Sequence, residues 1–264
     1  WTISWQSRKS LQTCFHDPFI SRLNNKNKQP QTRKKMKKVM ISTPAYDGRV
    51  HVPYAIALSE TTMLLLNNGV QVAYNITTSG SLLVAERNRI LKLFMQSDAT
   101  HLLCIDSDLG WVPQFVLKML LADKEFIAGV YPGRDGKTFT FRTFNNDNSS
   151  IVEENGLLKM QYIPAGFMLM TRSVVEKLMK KFPELYFEPK HESMKRENGW
   201  LFFNTELWDG EFWGEDYVFC RKAREAGVDI WVDPLIPFDH AGVKGRLLDA
   251  LSNKPEENPQ EQAS

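Results

Sequence analysis

His101-Leu102-Leu103-Cys104-Ile105-Asp106-Ser107-Asp108 is the stretch on which the reading of this chain turns. A short apolar run without helical period fits a strand buried on both faces. It runs straight into two carboxylates two positions apart. In open α/β sheets ligands sit beyond the carboxyl ends of the strands, and this strand would deliver Asp106 and Asp108 to that end. Hard oxygen donors suit Mn²⁺ or Mg²⁺, which can also hold a diphosphate. The plainer alternative is a pair of solvated turn aspartates, with Asp108 capping the next element. Asp-x-Asp alone is too common a pattern to choose between them.

The surrounding sequence alternates strand and helix. Lys38–Thr43 reads as a first buried strand ending at Pro44. Val52–Asn67 has helical spacing and is closed by Gly69. Val70–Ile76 is a second strand. Leu82–Gln96 is an amphipathic helix with Leu83, Ile90, Leu91 and Phe94 on one face. Pro113–Leu121 is a short helix with proline at its start, and Phe126–Tyr131 a further strand. A loop around Asn145–Asn148 precedes strands at Met160–Ile163 and Phe167–Met170. Ser173 and Glu176 form a capping-box pattern opening a helix to about Lys181. Glu215–Ala226 is a helix closed by Gly227, and Asp229–Val232 the last strand. The alternation predicts an α/β fold, a mostly parallel central sheet flanked by helices.

Composition removes several function classes. The net charge is +2, and the run Arg33-Lys34-Lys35 with Lys37-Lys38 supplies the excess, since without it the rest of the chain is slightly acidic. The rest of the chain has no basic face for nucleic acid. Three cysteines, Cys14, Cys104 and Cys220, lie far apart with no CxxC spacing, which argues for buried free thiols in a reducing compartment. No apolar run reaches the ~20 residues that span a bilayer. The expectation is a soluble cytoplasmic protein of bacterial or viral origin. Residues 1–35, polar and without apolar period, read as a disordered or non-native extension before Met36. Residues 36–252 then form the domain and 253–264 a flexible tail.

A second constellation lies at Trp208-Asp-Gly-Glu-Phe-Trp-Gly-Glu-Asp-Tyr217. Glu215 and Asp216 open a helix, where acids are favoured by ~0.3–1 kcal/mol through the macrodipole. That accounts for the acids alone. It does not account for Trp208, Phe212 and Trp213 beside them, since aromatic rings grip sugar faces and raise a neighbouring carboxylate's pKa. Such a carboxylate can take a proton from a hydroxyl.

Asp-Ser-Asp after an apolar strand, the strand Ala165-Gly-Phe-Met-Leu-Met170, and Gly214-Glu-Asp-Tyr-Val-Phe-Cys-Arg-Lys-Ala-Arg-Glu-Ala-Gly227 occur in that order. Together they resemble GT-A fold glycosyltransferases, family-two-like, over about residues 37–245. The resemblance implies a metal-dependent transfer of sugar from a nucleotide-sugar to an acceptor hydroxyl on a glycan; it does not assign the donor, for which a UDP-sugar is the base-rate expectation and a GDP-sugar the alternative. It implies that Asp106 and Asp108 bind Mn²⁺ or Mg²⁺ and the donor diphosphate with Ser107. Asp216 would be the general base and Glu215 its assistant or an acceptor contact. Arg87 and Asn88 would contact the donor, while Thr43, Pro44 and Tyr46 would hold base and ribose. His240, in Phe-Asp-His-Ala-Gly, is similar to a late metal-ligating histidine, although a lone histidine is often structural.

The chain departs from the family pattern in two places. The first strand ends in Ser-Thr-Pro-Ala-Tyr-Asp-Gly-Arg, and the Gln-x-x-Arg-Trp acceptor motif is absent. Processive polymer synthesis is therefore not expected. Arg134 in Tyr131-Pro-Gly-Arg reads as a phosphate partner or a solvated turn residue. Gly166 reads as a point of close backbone approach or a bulge. His51 and His191 read as surface, and Met63, Met168 and Met170 as core. A nucleotidyltransferase on a related fold would want a glycine-rich first loop that Thr43–Gly48 lacks. A non-catalytic carbohydrate-binding protein would not need both acidic motifs. Hydride chemistry has no GxGxxG to support it.

Overall fold

The computed structural model describes residues 36–78, 80–143, 152–191 and 198–252. The described body begins with β1 (Lys38–Pro44), α1 (Val52–Asn67), β2 (Gln71–Thr77), α2 (Leu83–Gln96), β3 (His101–Ile105) and β4 (Leu109–Trp111). It continues with α3 (Pro113–Leu121), β5 (Phe126–Ala128), β6 (Glu153–Glu154), β7 (Leu157–Met160), β8 (Phe167–Thr171) and α4 (Arg172–Lys181). A single 3₁₀ turn, Pro183–Leu185, leads to β9 (Tyr186–Phe187), β10 (Gly199–Trp200), β11 (Glu206–Trp208) and β12 (Glu211–Trp213). Last come α5 (Glu215–Glu225), β13 (Ile230–Val232), β14 (Pro237–His240), β15 (Val243–Arg246) and α6 (Leu247–Ser252).

Eight strands form the central sheet in the order β2-β1-β3-β8-β5-β13-β7-β6. Pairings β1–β2, β1–β3 and β5–β13 are parallel, and β7 and β8 run against the rest. Six strands therefore point the same way, as the alternating pattern predicts. All five residues of β3 are buried. They alternate between two cores, as period-2 geometry requires. Leu102 and Cys104 join the layer built on Ile90, Leu91 and Phe94 of α2, Val174 and Leu178 of α4, and Phe219 of α5. Leu103 and Ile105 join the layer under Tyr54 and Leu65 of α1 and Phe115 and Val116 of α3. Helices thus cover both faces of the sheet. A second sheet, β15-β14-β4, folds the end of the chain back beside the corner that follows β3.

Several local expectations are corrected. β5 stops at Ala128 rather than Tyr131, and the Gly129 backbone that follows lies against Phe238, whose ring would be 2.3 Å from an added Cβ. The strand expected at Met160–Ile163 lies at Leu157–Met160, and Tyr162 makes an isolated bridge to Arg142 instead. Ser173 is not a helix cap. It lies inside α4, which starts at Arg172, and its hydroxyl bonds Glu125 Oε1 at 2.6 Å. Met63 and Leu83, read as core or core-facing, are exposed, whereas Met168 and Met170 are buried.

Cys104 and Cys220 are free and buried, and burial pushes both thiols up to about 12. Cys14, Asn145–Asn148, the extension 1–35 and the tail 253–264 lie outside the described residues. No described helix is long and apolar enough to cross a membrane.

Candidate functional site

Strand β3 ends at Ile105, opposite Phe167, and the next residue begins the corner. The Asp106 amide donates to Gly166 O at 2.9 Å, and the Leu109 amide donates to Asp106 O at 3.2 Å, which closes a turn over Ser107 and Asp108. Ser107 O in turn accepts from the His51 amide at 2.9 Å. The turn is therefore fixed by backbone bonds, leaving its side chains for other partners.

Arg87 organises this corner. It comes from the second turn of α2 and is 5% exposed. Its Nη2 lies 3.2 and 3.3 Å from the two oxygens of Asp106, and Nη1 donates to Ala165 O at 3.1 Å. Nε faces Glu215 Oε1 at 3.5 Å and has no hydrogen-bond partner. One buried guanidinium thus joins the Asp106 corner to the start of α5, more than a hundred residues away in sequence. Burial alone would lower its pKa, but Asp106 first, then Tyr131, Cys104 and Glu215, hold the proton more firmly, and the net shift is upward.

Tyr131 lies beneath the same corner. Gly166 admits it: a Cβ there would be 2.3 Å from the phenol oxygen and 2.6 Å from Asp106 Oδ2. Close approach, rather than a bulge, is what this glycine supplies. Burial first, and then the Asp106 charge, push the phenol's pKa upward, so it stays protonated. Its ring packs edge-on against His240 at 5.0 Å.

Asp108 meets His240 because β4 pairs with β14, setting His240 opposite Leu109, and the Ala241 amide donates to Asp108 O at 3.0 Å. His240 Nδ1 lies 2.6 Å from Pro132 O, and Nε2 lies 3.3 Å from Asp108 Oδ2. Only a protonated Nδ1 can bond a carbonyl, and in neutral imidazole this leaves Nε2 as an acceptor directed at the carboxylate. That is the tautomer and orientation a metal-ligating histidine takes. Arg134 forms an ion pair with the same Asp108 oxygen.

Among the described residues no three His, Cys, Asp or Glu side chains form a ready metal cage. Asp108 and His240 still offer one carboxylate and one ring nitrogen, with Asp106 beside them. A divalent ion that takes its remaining ligands from a diphosphate and water needs little more.

A cleft of about 680 Å³ opens here, lined by Pro44, Arg49, His51, Leu83, Asp106, Ser107, Asp108, Tyr131, Arg134 and His240, among others. Its lining brings together Pro44, Asp106, Ser107, Asp108 and His240, all singled out by sequence, with Arg134, the phosphate-partner candidate. Thr43 is fully buried and bonds Tyr54, and Tyr46 is largely exposed; neither lines the cleft. Asn88 does not reach it either. Its amide nitrogen donates to Val84 O and Phe203 O, and its oxygen accepts from the Phe202 and Phe203 amides. That set uses the full capacity of the group, so Asn88 braces the 202–203 segment against α2. His51 is exposed, as expected of a surface residue, yet it borders the cleft. His191 is exposed.

Glu215 and Asp216 occupy the first turn of α5 after Gly214. Burial first, then the neighbouring Glu215 charge, raise Asp216 from 3.8 to about 6. Trp213 packs on Tyr162 at 5.0 Å, and Tyr162 stacks on Tyr217, also at 5.0 Å. The carboxylate is therefore bordered by an aromatic cluster. Trp208 lies over the Arg221 guanidinium at 4.0 Å on the β11–β12 hairpin, whose outer face carries Phe212. The Tyr131–Arg134 segment borders the cleft, as one of its two sequence readings had it, whereas Arg49 and His51 were missed as site residues. No local spacing marks them, since they reach the cleft only through the loop that follows β1.

No protein-family model matches the chain, and no curated protein matches it. Some solved structures are similar to parts of the chain. A197 from STIV is 15% identical, with a TM-score of 0.45, over 78% of this chain and 85% of that one. GalNAc-T7 with UDP, GalNAc and Mn²⁺ is 10% identical with a TM-score of 0.41; the match covers 78% of this chain but 44% of that one. A putative glucose-1-phosphate thymidylyltransferase from Bacillus anthracis is 12% identical with a TM-score of 0.36, over 84% of this chain and 97% of that one. At these distances the likenesses say nothing of what this chain binds.

Proposed function

We propose that the chain is a metal-dependent glycosyltransferase that moves a sugar from a nucleotide-sugar, UDP-linked or GDP-linked, to an acceptor hydroxyl of a carbohydrate. One observation carries the reading. A single buried arginine, Arg87, pairs with Asp106 on one side and faces Glu215 on the other, so the Asp106–Asp108 corner and the helix start that carries Asp216, whose pKa is raised, share one scaffold.

Asp108, His240 and Asp106 would hold Mn²⁺ or Mg²⁺. When bound, such an ion supplies Lewis-acid stabilisation to a leaving diphosphate. Arg134, already on Asp108, lies within the same cleft and adds a bidentate donor for phosphate oxygens. Pro44 and Leu83 give the cleft an apolar flank against which a base and ribose can pack. Tyr131 keeps its proton and can donate a hydrogen bond there. Asp216 accepts the proton of the acceptor hydroxyl as the acceptor oxygen bonds the anomeric carbon and the bond to the diphosphate oxygen breaks. A carboxylate shifted to about 6 is still ionised at neutral pH and is a stronger base than an ordinary one. Glu215, held by Arg87, positions that turn of helix. Orientation and charge stabilisation supply most of the acceleration.

The test is a panel of nucleotide-sugars assayed for Mn²⁺-dependent release of nucleoside diphosphate, with Asp216→Asn in parallel. Release with one donor, suppressed in the variant when an acceptor is present, supports the reading. Transfer at wild-type rate in Asp216→Asn removes the catalytic assignment. Formation of nucleotide-sugar and pyrophosphate from a nucleoside triphosphate and a sugar phosphate would assign the chain to the nucleotidyltransferases instead. Binding of carbohydrate without turnover of any donor would leave it a carbohydrate-binding protein.

A further inference from the structure

Helix α1 has apolar residues on both sides. Its inner side is buried through Tyr54, Ala57, Thr61 and Leu65. Its outer side carries Val52, Ile56, Ser59, Met63 and Leu66 at spacings of four and three. Val52 is 71% and Met63 60% exposed, and Ile56 and Leu66 are more than half exposed. That is the heptad stripe of a helix that packs against another helix. Among its sixteen residues Glu60 is the one charge. A helix apolar all round is normally covered on all sides.

The strand beside it is equally bare. Among the described residues β2 ends the central sheet, so its outer backbone edge has no partner. Such edges are usually blunted with charge, proline or a bulge. Gln-Val-Ala-Tyr-Asn-Ile-Thr, residues 71–77, contains no charge and no proline, and pairs with β1 in unbroken register. Tyr74 hydroxyl bonds Thr62 of α1, and Tyr74 and Ile76 line a groove of about 330 Å³ with Leu58, Thr62 and Met63. Stripe, groove and open edge form one continuous surface.

We propose that this surface is the interface of a homodimer, in which β2 pairs antiparallel with β2 of a second copy about a two-fold axis at Tyr74. The sequence of β2 matches itself in that register. Tyr74 falls opposite its own copy, Val72 opposite Ile76, Ala73 opposite Asn75 and Gln71 opposite Thr77. Apolar residues on the α1 side meet apolar ones, and polar residues on the other side meet small or polar ones. A one-residue slip would set α1-facing side chains against outward ones. A two-fold axis brings like residues together, and the lack of charge in β2 leaves no self-repulsion there. The same operation places the two α1 stripes on one face of a continuous sheet, each about 24 Å long, where they can cover each other. Glu60 beside the stripe disfavours an anionic membrane as the occupant.

Sedimentation of the full chain tests this. The wild type is expected at twice 30.4 kDa, and the exposed substitutions Met63→Lys and Ile76→Lys together are expected to give the single-chain mass. Tyr74→Cys should oxidise to a linked dimer, because opposed residues on antiparallel strands lie within disulfide reach, whereas Ala73→Cys, opposite Asn75, should not. A wild type of single-chain mass overturns the proposal, as does a dimer that survives both lysines. So does equal linking by the two cysteine variants. A monomer that floats with phosphatidylcholine vesicles would give the surface to lipid and also overturn it.

Discussion

Asp216 combines a functional advantage with a structural cost. Its carboxyl ionises near 6 in the fold and near 3.8 when unfolded, chiefly because it is buried. Between those values the folded state holds more proton than the unfolded state. The contribution of Asp216 to stability is therefore greatest below about pH 4 and is lost as pH rises through about 6. Asp216→Asn removes that cost. The variant should be more stable at pH 8 by roughly 1–3 kcal/mol, with the gap closing by about pH 3.5, as thermal melts across pH would read. Activity has the opposite sign. Transfer by the wild type should decline as pH drops through about 6, and Asp216→Asn should lower kcat by ~10²–10⁴-fold. Gly166 gives a second prediction at this scale. Gly166→Ala places a methyl 2.3 Å from Tyr131 Oη and 2.6 Å from Asp106 Oδ2. It should cost about 1–3 kcal/mol by denaturant unfolding and weaken nucleotide binding further than that loss of stability accounts for.

At the scale of elements, the loop after β5 and the β4–β14 pairing act on one carboxylate from two sides. Arg134 occupies Asp108 Oδ2, and His240 Nε2 faces the same oxygen. Arg134→Ala should therefore tighten Mn²⁺ binding in the absence of nucleotide, because a competing cation is gone. It should weaken binding of the Mn²⁺–nucleoside diphosphate by ~10-fold or more, through loss of a charge-assisted contact. Calorimetry with metal alone and with metal plus nucleotide separates the two effects. The sequence made β3 and its carboxylates legible, because a strand buried on both faces has no polar alternation and ends abruptly in Asp106. The β4–β14 pairing was not legible. Leu109–Trp111 and Pro237–His240 are too short to show a period, and only their pairing carries His240 to Asp108. The capping-box pattern at Ser173 failed for a tertiary reason: Glu125 claims the hydroxyl.

In the whole molecule, the α/β alternation predicted a sheet with helices on both faces, since the longer elements, α1, α2, α3 and α5 with β1, β2, β3 and β8, lie within a residue or so of where the pattern put them. The exceptions are instructive. Met63 and Leu83 looked like core by type, yet one faces the open side of α1 and the other the cleft. Hydrophobicity marks surfaces that will be covered; it does not tell whether the cover is the chain itself. Arg87 was legible only as a family resemblance. Its physical role, a buried cation joining residues 106 and 215, needs a fold that brings α2, the end of β3 and the start of α5 together.

The most direct test of a metal-bridged diphosphate at this corner is calorimetric titration of UDP and GDP, with and without Mn²⁺, into the wild type and into Asp108→Asn. One of the two nucleotides should bind, its binding should depend on Mn²⁺, and its affinity should fall at least tenfold in the variant. Equal binding with and without metal in both proteins, or no binding of either nucleotide to the wild type, would contradict that assignment.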